Sequence, residues 1–253
     1  MNIKSITIHI NISSKIIIFW FFLLTFPFTL NAETYPSYSL FAYTGYLTTP
    51  SAYVNDGQLG FHFSYLPKNV SATHRGISNN RIYSVSLGFL PFMEFYFSVF
   101  ETPSVKWIYS YGSHKTRSPG VKVKLFDEKK HRPACSIGLF DPEIQKLGQA
   151  SGKDNISSTF IVVSKKFDVR ETSLSLGYGT DIFNGKNPRL RGIFGGIRVV
   201  VYKTIFVILD YDSEYWNQGI SAQWHGFDVT LAAINSREFA YRIGYNINLL
   251  HTK

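Results

Sequence analysis

The chain has 253 residues, enough for one large all-β domain or two smaller domains. Charged residues make up only 17%, against roughly 25% in an average soluble domain, while aromatic residues also reach 17%. This composition argues against an ordinary soluble protein with a large wetted surface. The net charge of +9 is spread thinly, without a basic helix or an arginine-rich run, and argues against a nucleic-acid-binding surface.

The N-terminus is typical of a secretory signal. Two lysines accompany an uncharged apolar run at 16–30. This run is interrupted by Pro27 and falls short of the roughly 20 residues that a spanning helix needs. We therefore predict a signal peptide over residues 1–32, with cleavage after Ala32; an uncleaved anchor is the alternative.

From Gln58 onward, apolar residues alternate with small or polar ones at a period of two, which is the primary indication of β-strands. No segment shows a convincing helical period. The alternation predicts an all-β chain of about twelve strands, give or take two. The predicted strands lie near 58–66, 81–89, 93–100, 120–126, 134–140, 157–167, 172–178, 193–202, 204–211, 217–224, 226–234 and 239–247.

Long and short connections alternate between these strands. The long polar ones begin after residues 66, 102, 140 and 179, and short turns lie between them; the last link, 235–238, is short where a long loop is expected. The layout predicts an antiparallel up-and-down transmembrane β-barrel over residues 58–253, with its short turns at one end. Twelve strands enclose more space than a filled eight-stranded barrel. Residues 33–57, rich in turn-forming residues, are therefore predicted to be an N-terminal loop that plugs the lumen.

The two faces of the predicted strands differ in size and polarity. In the first strand one face carries Leu59, Phe61, Phe63 and Tyr65, and the other carries Gly60, His62 and Ser64. A secreted β-sandwich would also show alternation, with its polar face toward water. Gly, Ser and Ala dominate the non-apolar face here, which favours a confined interior. We therefore predict that the large apolar side chains face lipid and the small ones face the lumen.

The charged positions within the predicted strands fall on the lumen side. These lumen-facing candidates, with one histidine, are His62, Glu94, Lys122, Lys124, Arg198, Asp210, Asp228 and Arg242. Two interpretations are open: the charges pair with one another or with the plug, or they form a mildly basic lumen that attracts anionic solutes.

The sequence resembles the YjbH-like outer-membrane proteins of exopolysaccharide biosynthesis. The resemblance begins with "YTGYLTTPSAYVNDGQLGFHFSY", a Gly, a hydrophobic pair and Thr-Pro-Ser-Ala before a first strand. It continues in "SPGVKVKLFDEKKHRPACSIGLFD", "SSTFIVVSKKF" and "SLSLGYG". It covers residues 43–179 and, more loosely, the chain to 248. The resemblance implies an outer-membrane barrel with a part in making or exporting extracellular polysaccharide. Family members are often longer and lipidated.

We therefore expect a non-enzymatic barrel in the outer membrane of a Gram-negative bacterium, assisting exopolysaccharide or capsule biosynthesis or export. A small passive porin-like channel and a secreted β-sandwich binding module are the alternatives. The expected partners are outer-membrane lipid, polysaccharide and periplasmic export or assembly proteins. Neither a cofactor nor a metal site is expected. A lipid hydrolase is not favoured, because no histidine is predicted beside a serine on the lipid face. Trp107, Tyr109 and Tyr111 are candidates for stacking on sugars, although an aromatic girdle explains them more simply.

Overall fold

The computed structural model describes residues 37–72, 78–106, 111–141, 157–182 and 189–250. Twelve antiparallel strands form one closed barrel, which confirms the predicted all-β antiparallel barrel and its strand number. The predicted signal peptide lies outside the described residues. The strands are β1 Gln58–Leu66, β2 Asn80–Gly88, β3 Met93–Lys106, β4 Tyr111–Phe126, β5 Ala134–Phe140, β6 Ser158–Phe167, β7 Thr172–Thr180, β8 Gly192–Tyr202, β9 Ile205–Tyr211, β10 Trp216–Trp224, β11 Phe227–Ile234 and β12 Glu238–Asn248.

Two short 3-10 turns, Lys68–Val70 and Val169–Glu171, are the helical elements of the described ranges. Within those ranges, no helix has both the length and the apolar character needed to cross a membrane.

Each strand pairs with its neighbours in sequence, and β1 closes the ring by pairing with β12. Phe61 in β1, for example, lies opposite Val85 on β2 and Tyr245 on β12. Partners directly opposite each other point to the same side of a sheet, so this row of large side chains is shared by three strands. The single closed sheet leaves no strand edge and is not the two-sheet sandwich of the alternative prediction.

Burial alternates along the strands with the period that the sequence predicts. In β2, Ile82, Ser84 and Ser86 are buried, whereas Tyr83 and Val85 between them are 47% and 38% exposed. The exposed residues here are large and apolar, which is the reverse of the arrangement in a soluble sheet. The outward face of the barrel is therefore apolar, and its inward face carries small and polar side chains.

Inward-facing glycines make room for inward-facing aromatic rings. A Cβ on Gly120 would collide with the ring of Tyr96, and one on Gly138 would collide with the ring of Phe160. Tyr96 and Phe160 are both buried inside the barrel. The small residues that alternate along the strands are thus needed to accommodate bulky neighbours in a confined interior.

The two ends of the barrel differ. One end, here called the short-turn end, carries the connections 89–92, 127–133, 168–171, 203–204 and 225–226 together with the start of β1 and the end of β12. At the opposite end, the long-loop end, β1, β3, β5, β7, β9 and β11 end and the next strands begin; the sequence between them is 67–79, 107–110, 141–157, 181–191, 212–215 and 235–237. Residues 235–237 form a tight turn, as predicted for this link; the links 107–110 and 212–215 at the same end are also only four residues long.

One predicted loop is wrong. The sequence predicts a long connection from Thr102 to Gly120, but β3 continues to Lys106 and β4 already begins at Tyr111. The pairing shifts between Thr102 and Val105, so a β-bulge absorbs the irregularity. Pro, Gly and polar residues suggested a loop, yet cross-strand pairing continues through them. Trp107 and Tyr109 lie outside the described residues.

Candidate functional site

Residues 37–57, here called the plug segment, lie inside the barrel and are buried along almost their whole length. At the short-turn end the segment is joined to the barrel wall by backbone hydrogen bonds. The N–H of Gly57 donates to the carbonyl of Gly88 at 3.0 Å, and the N–H of Leu249 donates to the carbonyl of Gly57 at 2.7 Å. The plug segment thus enters the lumen from the end where β1 begins.

The plug segment has local structure of its own. Isolated bridges pair Tyr38 with Thr44 and Gly45 with Pro50. Such a compact loop cannot pair all its backbone groups internally, and buried N–H and C=O groups need partners. The inward-facing side chains of the barrel supply them.

The first set of partners is a buried ion pair on neighbouring strands. Glu94 of β3 and Lys122 of β4 lie directly opposite each other, with 3.2 Å between the Lys122 Nζ and the Glu94 Oε2. The Thr44 N–H donates to Glu94 Oε1 at 2.7 Å, and the Lys122 ammonium donates to the Thr44 carbonyl at 3.0 Å. The Thr44 hydroxyl also bonds both side chains. This cluster satisfies the donor and the acceptor of one plug residue with two opposite charges.

The second set lies on β9 and β10, across the barrel. Asp210 accepts hydrogen bonds from the backbone N–H groups of Thr48 and Thr49, at 2.7 and 3.0 Å. The side-chain amide of Asn217 donates to the Thr48 hydroxyl at 2.8 Å and to Asp210 at 3.0 Å. A carboxylate that accepts two successive backbone N–H groups fixes the course of the Thr-Thr-Pro stretch.

The third set joins β11 and β12 to the start of the plug segment. Arg242 forms an ion pair with Asp228, with a nitrogen-to-oxygen distance of 2.5 Å, and also donates to the Ser39 carbonyl at 3.1 Å. Both charged side chains are completely buried. The ring of Tyr38 packs against the imidazole of His62, with centroids 4.5 Å apart.

Inward-facing serine side chains supply further hydrogen-bond partners for the plug segment. The Tyr46 hydroxyl hydrogen-bonds Ser175 of β7 at 2.8 Å. The backbone of Ala52 donates to Ser164 of β6 and accepts from Ser136 of β5, each at 2.7 Å. Partners of the plug segment therefore come from strands all around the barrel, which holds the segment within the lumen.

Seven of the eight predicted lumen-facing residues are buried, and they are His62, Glu94, Lys122, Arg198, Asp210, Asp228 and Arg242. The six charged residues among them comprise three cations and three acids, so this set carries no excess of positive charge. Arg198 lies over the ring of Phe206, 4.9 Å from its centroid. Lys124 is placed differently: it is partly exposed and forms an ion pair with Asp127 of the adjoining turn at 2.5 Å.

The structure also brings together Ser86, His62 and Asp228, a combination that the sequence analysis missed. The Nε2 of His62 lies 3.2 Å from the Ser86 hydroxyl, and its Nδ1 lies 3.9 Å from Asp228. The latter distance is too long for a hydrogen bond. Asp228 is already bonded to Arg242 and to the side-chain amide of Asn246. Tyr38 packs against the imidazole and the side chains of His62 and Asp228 are almost completely buried, so the group forms a packed polar cluster.

Two glycines explain why this histidine fits inside the wall. A Cβ on Gly60 or on Gly244 would collide with the His62 ring. Gly60 lies two residues before His62 in β1, and Gly244 of β12 lies directly opposite His62. The cluster could have been anticipated from the sequence only by knowing that β1, β2, β11 and β12 are neighbours.

A further contact links the plug segment to the short-turn end. The Tyr53 hydroxyl donates to Glu128 at 2.7 Å, and Glu128 also forms an ion pair with Lys165 at 3.0 Å. Burial, reinforced by the Glu128 carboxylate, raises the pKa of the Tyr53 phenol. Burial opposes ionisation of Glu128, but hydrogen bonds from Tyr53, Lys165 and the Lys166 backbone prevail and lower the pKa of its carboxyl. The plug segment is therefore tied to the turn 127–133 by an ionised carboxylate.

The polar residues that sequence reasoning missed are those of the plug segment itself, chiefly Thr44, Thr48 and Thr49. The sequence feature that could have indicated them is the run of Thr, Pro and Ser before the first strand, in which small hydroxyl side chains are concentrated. Within the described ranges, no group of three or more His, Cys, Asp or Glu side chains is placed to hold a metal ion. The arrangement is suited to holding a segment in a lumen.

We predict that the buried pair Glu94–Lys122 is required as a unit. Glu94→Gln leaves the Lys122 ammonium buried without its counter-charge, and should lower the free energy of unfolding by about 3–5 kcal/mol. The measurement is urea unfolding of the full chain in lipid vesicles, followed by tryptophan fluorescence. The double variant Glu94→Gln with Lys122→Met removes both charges and should recover most of the loss.

The matched control is Lys124→Gln, which breaks an ion pair whose carboxylate is mostly exposed. This change should have a much smaller effect, because solvent screens the pair. Equal losses for Glu94→Gln and Lys124→Gln would contradict an anchoring role for the buried pair.

Comparison with known proteins places the chain in a family. A family model described as exopolysaccharide biosynthesis protein YbjH, of the YjbH family, matches residues 37–198. The match begins at the first described residue of the plug segment and continues to Arg198 in β8. It thus includes the Thr-Thr-Pro stretch as well as strands β1 to β7. No curated protein matches the chain. Since the family model covers more than half of the sequence, the chain belongs to the YjbH family of exopolysaccharide biosynthesis proteins.

Proposed function

We propose that this protein is a non-enzymatic outer-membrane β-barrel that assists the production or export of exopolysaccharide. One observation carries the proposal: a closed barrel presents large apolar side chains outward while a polar interior is filled by a segment of the same chain. The family supplies the link to exopolysaccharide biosynthesis.

The outward face supports insertion in a bilayer. Phe61, Phe97, Ile161 and Leu176 are exposed on different strands, each by 43% or more. Water would oppose such exposure, at roughly 25 cal/mol for each Å² of apolar surface. Hydrocarbon does not, and a closed barrel leaves no unpaired backbone edge in contact with it.

Aromatic residues near both ends of the strands support the same location. The exposed rings near strand ends include Phe167 and Trp224 at the short-turn end and Trp216 and Phe239 at the long-loop end. Aromatic girdles at the two bilayer interfaces are characteristic of outer-membrane barrels. In such barrels short turns face the periplasm and long loops face outward, so the plug segment enters from the periplasmic side in this proposal.

A matched pair of substitutions on one strand tests the membrane location. Leu231 lies in the middle of β11 and Phe227 at its short-turn end, and both side chains point outward with similar exposure. Leu231→Arg should destabilise the barrel in vesicles by about 2–4 kcal/mol, and Phe227→Arg by about 0–1 kcal/mol.

The measurement is unfolding of each variant in lipid vesicles, together with heat-modifiable gel mobility and outer-membrane fractionation of the wild type. Equal costs at the two positions, or a wild-type chain that fractionates as a soluble protein, would contradict the proposed location.

The plug segment argues against a permanently open channel. Thr44, Thr48 and Ser39 are held by charged side chains on three different sectors of the wall. We therefore expect the full chain to show little conductance in planar bilayers. Deletion of residues 37–55 should open the lumen and raise the conductance, because the twelve-stranded ring encloses more space than its own side chains fill.

The control for this measurement is the full chain carrying Phe227→Arg, which changes the outer face and leaves the plug segment intact. Steady conductance by the full chain would instead favour the passive channel, and an unchanged conductance after the deletion would show that the lumen is closed by other residues.

The proposed non-enzymatic role is supported by the polar cluster around His62. Its carboxylate is committed to Arg242 and Asn246, and its imidazole is covered by Tyr38. A general base needs access to the proton that it removes. The proposed partners are accordingly outer-membrane lipid, polysaccharide and periplasmic export or assembly proteins.

The biological test is deletion of the gene in a host that makes exopolysaccharide. Surface-bound and secreted polysaccharide should fall, and the full chain should restore both. Phe227→Arg should also restore them, whereas Leu231→Arg should not, because it impairs the barrel. Unchanged polysaccharide after deletion would refute the assisting role.

A further inference from the structure

Among the described residues of the short-turn end, Lys and Arg are concentrated on one side of the rim. The segments 124–133, 165–171 and 203–204 belong to three adjacent hairpins, β4–β5, β6–β7 and β8–β9. Together they contain eight Lys or Arg residues and four Asp or Glu residues. The other two turns of this end, 89–92 and 225–226, contain none of either kind. On the other side, Asp56 is an exposed acid beside the start of β1, and within the described residues that half of the rim contains no Lys or Arg.

Two of the acids on the basic side are engaged by lysines. Lys124 pairs with Asp127 at 2.5 Å, and Lys165 pairs with Glu128 at 3.0 Å. The hydrogen bond and charge of Lys124 lower the pKa of the Asp127 carboxyl, so it stays ionised and the pair is neutral. The side chains of Lys129, Lys130 and Arg132 in the same turn are exposed to solvent. The excess positive charge is thus accessible.

Each of the three hairpins also places a cation beside an aromatic ring. Arg132 lies 5.3 Å from the centroid of Phe126, and Lys203 lies 5.3 Å from that of Tyr202. Lys166 lies 4.8 Å from the ring of Tyr53 in the plug segment. Phe126 and Tyr202 are 52% and 44% exposed, so part of each ring is accessible. The rim therefore repeats one motif, a cation next to a partly exposed ring.

This repeated motif matches the chemistry of an acidic sugar polymer. A uronic acid unit carries one carboxylate, and the C–H groups of its ring form an apolar face. A cation beside an aromatic ring offers a partner for each of these features, and a polymer repeats both along its length. An acidic peptide supplies the carboxylates without the apolar ring faces. Several weak sites in a row gain from multivalency when one chain engages them together.

We propose that the basic half of the short-turn rim is a binding surface for an acidic polysaccharide rich in uronic acid. The proposal rests on the proposed function, because it names the class of polysaccharide that the barrel contacts. The turn 127–133 is its centre, with Lys129, Lys130 and Arg132 as the carboxylate-binding cations and Phe126 as a stacking surface.

Lys165 and Lys166 are less suitable for testing this surface. Both contact the group that ties the plug segment to the rim, since Lys165 pairs with Glu128 and Lys166 lies over Tyr53. Changing them would disturb the plug segment as well as any ligand. The exposed cations of the turn 127–133 separate the two effects.

The experiment measures binding of a short, fluorescently labelled oligogalacturonate to the full chain in detergent micelles, at low and at physiological salt. The wild type should bind, and binding should weaken as salt rises, because screening reduces the attraction. The variant Lys129→Gln/Lys130→Gln/Arg132→Gln should bind at least about tenfold more weakly. Phe126→Leu should also weaken binding while leaving the charge unchanged.

The matched control removes three exposed cations at the opposite end, through Lys68→Gln/Arg81→Gln/Arg237→Gln. This variant has the same net charge as the first and should bind like the wild type. Heat-modifiable gel mobility establishes that each variant is folded. Poly-glutamate of equal charge and vesicles of anionic phospholipid serve as competitors, and both should compete poorly.

Three results would overturn the proposal: no binding of the oligogalacturonate at low salt, equal weakening by the two triple variants, or equal competition by poly-glutamate or anionic vesicles. The last result would assign the surface to an acidic protein or to lipid. Because binding is measured on the purified chain, its failure is distinguishable from failure of the proposed function, which the deletion phenotype tests on its own.

Discussion

Closure of the strand ring is the constraint from which the rest of the structure follows. Pairing of β1 with β12 satisfies the last two strand edges, but a ring of twelve strands encloses more space than its inward side chains fill. The plug segment occupies that space. Its backbone is then buried, and each buried N–H and C=O group needs a partner. The charged residues of the inner wall, such as Glu94, Asp210 and Arg242, meet that need.

The inward and outward faces of the sheet carry different side chains because each face lies in a different environment. Inward positions are small or polar because the plug segment and inward rings such as Tyr96 lie against them. Outward positions are large and apolar, and many of them are exposed in the described ranges. Lipid is the environment that suits this face, and that link between side-chain pattern and solvent is the basis of the proposed outer-membrane location.

Charge is divided between the lumen and the rim. Inside, three buried cations of the predicted lumen-facing set balance three buried acids; two ion pairs, Glu94–Lys122 and Asp228–Arg242, and the Asp210 carboxylate hold the plug segment. At the short-turn end, positive charge exceeds negative charge on one side of the rim, next to exposed rings such as Phe126. Glu128 connects the two regions, because it accepts a hydrogen bond from Tyr53 of the plug segment and pairs with Lys165 of the rim. The filled lumen and the charged rim are the two features on which the proposed role with exopolysaccharide is based.

The sequence by itself determined the all-β class, the strand number and the alternation of the two faces, and it located three of the long connections. These features are local or periodic, and an alternation with period two can be recognised in a sequence wherever the two faces of a strand differ in side-chain size or polarity. The same alternation predicted that Glu94, Lys122, Asp210, Asp228 and Arg242 point into the lumen.

Only the tertiary structure decided which plug residue each of these side chains binds, that Ser86 and His62 are in contact, and that β3 and β4 extend through the predicted loop. Those outcomes depend on strand neighbours and register, which bring residues far apart in sequence into contact and leave no local pattern in the chain.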